Sequence, residues 1–184
     1  DTEEKLTVEK DGLIPIQDHL DGKKLCGRSP VDEKTKEVSW IGIDIDIRSH
    51  NREKIEAHKF SDRIKLFQGS SVDKGIFDKV TSLIEPTDRV MLVLDSNHTY
   101  EHVLAELTLW AEIVTEGCYL VVADTMLHFA TQPVSGSTTW YSGDDPLSAL
   151  NQYTKSTNKF IPDDEVNGKL IFSSSFKGYM RAQR

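Results

Sequence analysis

The sequence predicts an α/β fold in three layers, with a mostly parallel sheet that ends in an antiparallel hairpin. Three observations carry that reading. Short aliphatic runs recur along the chain, IGIDID (41–46), IKLFQGSS (64–71), RVMLVLD (89–95) and YLVVADT (119–125), each closing on a polar or acidic tip. Segments with helical spacing of apolar residues separate them, and Asn167-Gly168 joins the last two extended runs with a strong hairpin-turn signal. Near-continuous aliphatic runs mark strands buried on both faces of a parallel sheet. Strands alternating with helices of about 10 to 15 residues imply right-handed crossovers.

In chain order, VSWIGIDI is the first strand and HNREKIEAHKF the helix after it. IKLFQG follows, then the helix DKGIFDKVTSLI, closed by Pro86. RVMLVLD leads into YEHVLAELTLWAEIV, where Val103, Leu104, Leu107, Trp110, Ala111 and Val114 repeat at helical spacing. Gly117 stops that helix, and CYLVVADT is the fourth strand. Residues 126–143 show little periodicity, and a loop of that length suits a lid, a binding loop or a partly disordered segment. Its Trp140 and Tyr141 offer either an apolar wall for a substrate or anchors on the core. DDPLSALNQYTKST reads as a helix opened by Asp144 or Asp145 with Pro146 in its first turn. FIPDDEV and KLIFSSSF then form the hairpin at the sheet edge.

The first 37 residues fit this scheme poorly, so an atypical N-terminal segment (1–37) precedes an α/β domain spanning 38–184. LIPI reads as a short strand, but Gly22 and Gly27 lack the G-x-G-x-x-G spacing that lets backbone approach a dinucleotide.

A chain of 184 residues suits one domain with a sizeable core. Its net charge of −8 argues against nucleic acid, whose phosphates require basic surface. No apolar run approaches the ~20 residues of a membrane span, and the acidic start DTEEKLTVEKDG is no secretory signal. Cys26 and Cys118 are too few and too far apart for a disulfide framework or a zinc knuckle. Cys118 reads as a small buried hydrophobe, and a reducing, cytoplasmic location fits.

Ligands of open α/β sheets sit at the carboxyl ends of the strands, which makes the polar tips the candidate site. Asp44 stands where a carboxylate accepts hydrogen bonds from ribose hydroxyls; Asp46 does the same or caps the next helix. In Gly69-Ser70-Ser71-Val72-Asp73 the glycine permits close approach, while the serines and aspartate meet an adenine edge or cap a helix. Asp95 and Asp124 end successive strands; two converging carboxylates suit Mg²⁺, although each is also a plausible cap. His98, three residues after Asp95, has the chemistry of a general base near neutral pH, or serves structurally at a helix start. His102 also lies close to the site, whereas His50, His58 and His128 read as surface or loop residues.

GIDIDIRSHNREKIEAH, IKLFQGSSVD, LDSNHTYEHVLAEL with GCYLVVADT, and FSSSFKGYMR together resemble the cephalosporin hydroxylase family. The resemblance covers about residues 38–184 in the same order. That family is similar in fold to class I S-adenosylmethionine-dependent methyltransferases, including rhamnosyl O-methyltransferases. The resemblance implies a Rossmann-like, seven-stranded methyltransferase sheet with a reversed final hairpin. It puts Asp44 on the cofactor ribose, Gly69, Ser70 and Ser71 near the adenine, and a Mg²⁺ site at Asp95, position 123 and Asp124. The family carries Glu-Asp in that last strand where this chain has Ala123-Asp124, and its E-x-G-x-x-x-G-G-S loop is not recognisable in residues 11–37.

The activity implied is S-adenosylmethionine-dependent O-methylation of a small-molecule or sugar hydroxyl, with or without Mg²⁺. Asp95 and Asp124 would orient the acceptor oxygen and His98 assist its deprotonation. The alternative is a non-catalytic, diverged relative that has lost the glycine-rich loop and acts as a binding module. An oxidative enzyme is disfavoured, since the chain shows neither a 2-His-1-carboxylate spacing nor a flavin or nicotinamide fingerprint. The expected partner is a small-molecule or glycan acceptor; association with further copies of the chain stays open.

Overall fold

The computed structural model describes residues 39–130, 143–169 and 173–183. Strands and helices alternate as β1 (Trp40–Asp44), α1 (Ser49–Glu56), β2 (Ile64–Gln68), α2 (Lys74–Thr81), β3 (Leu92–Leu94), α3 (Tyr100–Trp110) and β4 (Tyr119–Val122). The chain continues with α4 (Pro146–Thr154), β5 (Phe160–Pro162), α5 (Asp164–Lys169) and β6 (Tyr179–Ala182). Short 3-10 turns span Ser61–Arg63, Ala111–Ile113 and Thr125–Phe129. Among the described residues no helix is long and apolar enough to cross a membrane.

The α/β class holds, with parallel strands and an antiparallel finish. β1 pairs with β2 in parallel, as β3 does with β4. β6 lies antiparallel between β4 and β5, so β5 runs in the direction of β4 and β6 alone is reversed.

Among the described residues the strands form two groups, β1-β2 and β3-β4-β6-β5. LIPI, the short strand expected before them, falls outside the described residues, as does part of KLIFSSSF. Trp40 and Val93 within strands, and Ile45 and Met91 just beyond strand ends, are exposed. Two expectations need correction.

The first correction concerns Asn167-Gly168, which lies inside α5 and not in a hairpin turn. The Asp163 carboxylate accepts the Val166 N–H at 3.0 Å and so caps a helical turn. Asn167 Nδ2 then donates to the backbone oxygens of Asp163 (2.9 Å) and Tyr179 (3.3 Å), tying α5 to β6.

Cys118 is fully buried, as expected, and Cys26 lies outside the described residues. Second, the segment after β4 opens as the 3-10 turn Thr125–Phe129 rather than as loop. Trp140 and Tyr141, like LIPI, Gly22 and Gly27, lie outside the described residues.

The core gathers Leu107 and Ala111 around α3, Ala149 and Leu150 on α4, Leu120 and Val122 on β4, and Met180 and Ala182 on β6. All four residues of β4 are at least half-buried and the last three fully so, as expected of a strand covered on both faces. Caps set the helix starts. Asp73 accepts the Ile76 N–H at 2.9 Å at the head of α2, so capping is the role that residue takes. Of Asp144 and Asp145 it is Asp145 that caps α4, accepting the Ser148 N–H at 2.9 Å with Pro146 following.

Gly178 pins the reversed strand to the end of β4. Its carbonyl accepts the Val122 N–H at 3.0 Å, and a methyl group on its Cα would collide with the Val122 carbonyl oxygen. Only glycine allows that approach, which holds the turn before β6 against the tip of β4.

Candidate functional site

β3 and β4 are parallel neighbours in the register Leu94↔Val122, so the residues that follow them leave the sheet side by side. The Ala123 N–H donates to Leu94 O at 2.9 Å and extends the pairing one residue further. Asp124 then takes a left-handed backbone conformation (φ 51°, ψ 27°), uncommon for a residue other than glycine. That turn sends the chain into Thr125–Phe129, which is anchored where the buried Thr125 hydroxyl donates to Phe176 O at 2.6 Å.

On the β3 side, Asn97 Oδ1 accepts the Thr99 N–H at 3.0 Å, and Asp144 Oδ1 accepts the Tyr100 N–H at 2.8 Å at the head of α3. These bonds fix the Ser96–Thr99 corner and bring His98 over the acidic tips. Its Nε2 lies 3.2 Å from Asp124 Oδ2 and 3.5 Å from Asp95 Oδ1. One ligand atom from each of Asp95, His98 and Asp124 falls within a cluster no wider than 4.8 Å. His98 is mostly covered and Asp95 largely exposed, so the cluster opens to solvent on the Asp95 side.

This donor set fits a divalent cation. Two carboxylates held close repel unless positive charge lies between them, and Mg²⁺ takes one or two carboxylates with waters and substrate oxygens completing its shell. Asp95 and Asp124 supply the carboxylates. His98, a nitrogen donor, is better suited to proton transfer than to Mg²⁺. Ala123 supplies nothing.

The other predicted residues gather on the first sheet. Asp44 ends β1 opposite Gln68, and its carbonyl accepts the Gly69 N–H at 2.9 Å. Gly69 has φ 151°, and a side chain there would press on Ile76. One carboxylate oxygen of Asp44 accepts the Asp46 N–H at 2.8 Å. Asp46 does not cap α1; Arg48 holds that position. Ser70 Oγ accepts the Val72 N–H at 3.4 Å. Ser71 is bound to α3 twice, through its carbonyl to Trp110 Nε1 (2.7 Å) and its hydroxyl to His102 Nε2 (3.1 Å). Asp44, Gly69, Ser70 and Ser71 thus share one turn region, while Asp95, His98 and Asp124 form a second group on the other sheet.

Two polar features were not foreseen from the sequence. Glu106, only 2 % exposed, accepts the Ser96 hydroxyl at 2.6 Å, and His102 Nε2 lies 3.6 Å from the same oxygen. The path Ser71–His102–Glu106–Ser96 therefore links the glycine turn to the residue beside Asp95. The available signal was position: Glu106 falls between Val103 and Leu107 on the inward stripe of α3.

The second is His128, expected on a loop surface, whose Nδ1 lies 3.1 Å from Asp145 Oδ2. Burial pushes the Asp145 carboxyl up. The Ser148 and Gly143 N–H groups, the Ser148 hydroxyl and His128 outweigh that and hold it below the ordinary carboxylate range.

Comparison with known proteins agrees with the family expected from the four sequence motifs. Residues 21–183 match the family described as Rhamnosyl O-methyltransferase/CmcI, and the chain belongs to that family. It is 30% identical over 119 residues to the rhamnosyl O-methyltransferases of Mycobacterium bovis (strain BCG / Pasteur 1173P2) and Mycobacterium tuberculosis (strain ATCC 25618 / H37Rv). That alignment covers 64% of this chain and 46% of each relative, so the chain spans about half the length of the curated relatives it matches. Among solved structures it is similar to the MycE methyltransferase of the mycinamycin biosynthetic pathway in complex with Mg and SAH. That match has a TM-score of 0.45 and 18% identity over 79% of this chain and 38% of the other. A second MycE structure, which also contains mycinamycin VI, gives a TM-score of 0.44 and 15% identity over 80% and 45% of the two chains.

Proposed function

We propose that this domain takes part in S-adenosylmethionine-dependent methylation of a sugar or small-molecule hydroxyl. In this reading Asp95, His98 and Asp124 stand at the acceptor oxygen, and Asp44, Gly69, Ser70 and Ser71 at the methyl donor. The observation that carries it is the convergence of Asp95, His98 and Asp124 at the ends of two adjacent parallel strands, in a chain of the rhamnosyl O-methyltransferase family.

When bound, the donor would supply the methyl group, and a divalent cation on Asp95 and Asp124 would supply positive charge beside the acceptor oxygen. The work of the protein is then positioning. The Asp44 carboxylate, partly engaged by its own loop, accepts from a ribose hydroxyl. Gly69, Ser70 and Ser71 would hold the adenine side of the donor, Gly69 by letting the turn pack closely on Ile76. His98, held between two carboxylates, takes the proton of the acceptor hydroxyl as the new C–O bond forms and the donor S–C bond breaks. Proton transfer by a positioned base contributes about 10² to 10⁴ in rate.

The test is incubation of the protein with methyl-labelled S-adenosylmethionine, Mg²⁺ and methyl α-L-rhamnopyranoside, followed by product analysis. Label in a sugar methyl ether, cut at least 100-fold in His98→Gln, is expected from the general-base role. No methyl ether and no binding of S-adenosylhomocysteine by calorimetry would refute the proposal.

A further inference from the structure

The turn that follows Asp124 carries an aromatic corner to which no role has been given so far. His128 and Phe129 meet edge-to-face at 5.1 Å, and Phe129 meets Phe176 in the same way at 5.7 Å. Phe129 is 51% exposed and Phe176 38%, unusual for large apolar side chains that touch one another. Two bonds tie the turn to the segment that carries Phe176. The Thr125 hydroxyl donates to Phe176 O, and the Met126 N–H donates to Ser174 O at 3.0 Å. A 3-10 turn rises about 2 Å per residue, so Phe129 stands roughly 10 Å along the chain from Asp124. Five residues of a short turn therefore separate the aromatic corner from the acidic cluster.

Polar groups border the corner. His128 Nδ1 is engaged by the buried Asp145 carboxylate, with the Ser148 hydroxyl 3.3 Å away, leaving Nε2 as the nitrogen available to a ligand hydroxyl. Lys177 Nζ lies 5.4 Å from the centre of the Phe176 ring. An apolar ring surface edged by hydrogen-bonding groups matches a pyranose, whose C–H face is apolar and whose rim carries hydroxyls.

We propose that Phe129 and Phe176 form a sugar-binding subsite, with His128 bonding a ring hydroxyl, and that it presents a neighbouring hydroxyl of the same sugar to Asp95, His98 and Asp124. The assignment rests on the reading of that cluster as the acceptor site. The Asp145–His128 pair acts here by orienting an imidazole toward ligand.

The experiment is titration of methyl α-L-rhamnopyranoside, without donor or metal, followed by saturation-transfer NMR. Wild type, Phe129→Ala, Phe129→Leu, Phe176→Ala and His128→Ala are compared, with thermal melts to establish folding. The expected result is saturation transfer to ring C–H protons in wild type, affinity at least tenfold weaker in both alanine variants of the phenylalanines, and at least threefold weaker in Phe129→Leu and His128→Ala. The leucine variant keeps apolar bulk and loses only the aromatic face, which guards against a folding artefact. No binding to wild type, or equal binding by wild type and folded variants, would overturn the subsite. A separate S-adenosylhomocysteine titration reads the methyl-transfer proposal, so either idea can fail alone.

Discussion

The Ser96 hydroxyl donates a 2.6 Å hydrogen bond to Glu106 Oε1, so the residue beside the acidic tip of β3 is anchored by a carboxylate buried within α3. Without partners a carboxylate this deep would be strongly unfavourable. With them it becomes a fixed post linking His102 and the Ser71 turn to the Asp95–His98 corner.

Glu106→Ala should therefore destabilise the fold by about 1 kcal/mol, because the exposed Ser96 hydroxyl loses its bond to a charged group and turns to water instead. Urea unfolding reads the stability loss. A midpoint unchanged from wild type would show that the bond anchors nothing.

Gly178→Ala tests the close approach of the reversed strand to β4. The added methyl would meet the Val122 carbonyl oxygen, and backbone cannot swing aside as a flexible side chain can. We expect a loss of about 3 kcal/mol or more, read by urea unfolding. Gly168→Ala, where a side chain meets open space, serves as the comparison and should cost far less.

Acid should loosen the region around α4. The Asp145 carboxyl is raised by burial, but its hydrogen bonds to Ser148, Gly143 and His128 bring it below the ordinary value. A group whose folded value is depressed contributes stability that is complete above its unfolded value, about 4, and is lost as pH falls through the folded value. Unfolding free energy should drop as pH is lowered from about 5 toward 2, and Asp145→Asn should flatten part of that slope. An identical slope in the variant would contradict the assignment.

Alkali should act at the sheet. Tyr119 is pushed up to about 12 by burial first, then by its 2.6 Å hydrogen bond to Asp163 and that residue's charge. A raised group contributes stability present below its unfolded value, about 10, and lost as pH climbs through the folded one. Unfolding measured from pH 9.5 to 12 should show that decline, shallower in Tyr119→Phe; Tyr153, also held near 12, accounts for part of what remains.

The strands and helices up to β4, and α4 after it, were legible because each carries its own local signal: an aliphatic run, a helical stripe, or a cap such as Asp145 before Pro146. The meeting of Asp95 with Asp124 was legible for the same reason, since successive parallel strands deliver their tips to one edge. Asn167-Gly168 misled because a local turn preference lost to the cap at Asp163 and the bond to Tyr179. Glu106 escaped notice, and His128 was read as a loop-surface residue, because burial and partners, not residue type, give them their roles: His128 meets Asp145, 17 residues away.

The central claim is that Asp95 and Asp124 form one cation-binding, acceptor-facing site. Titration of Mn²⁺ as a paramagnetic stand-in for Mg²⁺, followed by electron paramagnetic resonance, tests it most directly. One saturable site is expected in the wild type, weakened at least tenfold by either Asp95→Asn or Asp124→Asn, as loss of a ligand charge requires. Mn²⁺ binding of equal strength in both variants, or none in the wild type, would contradict it.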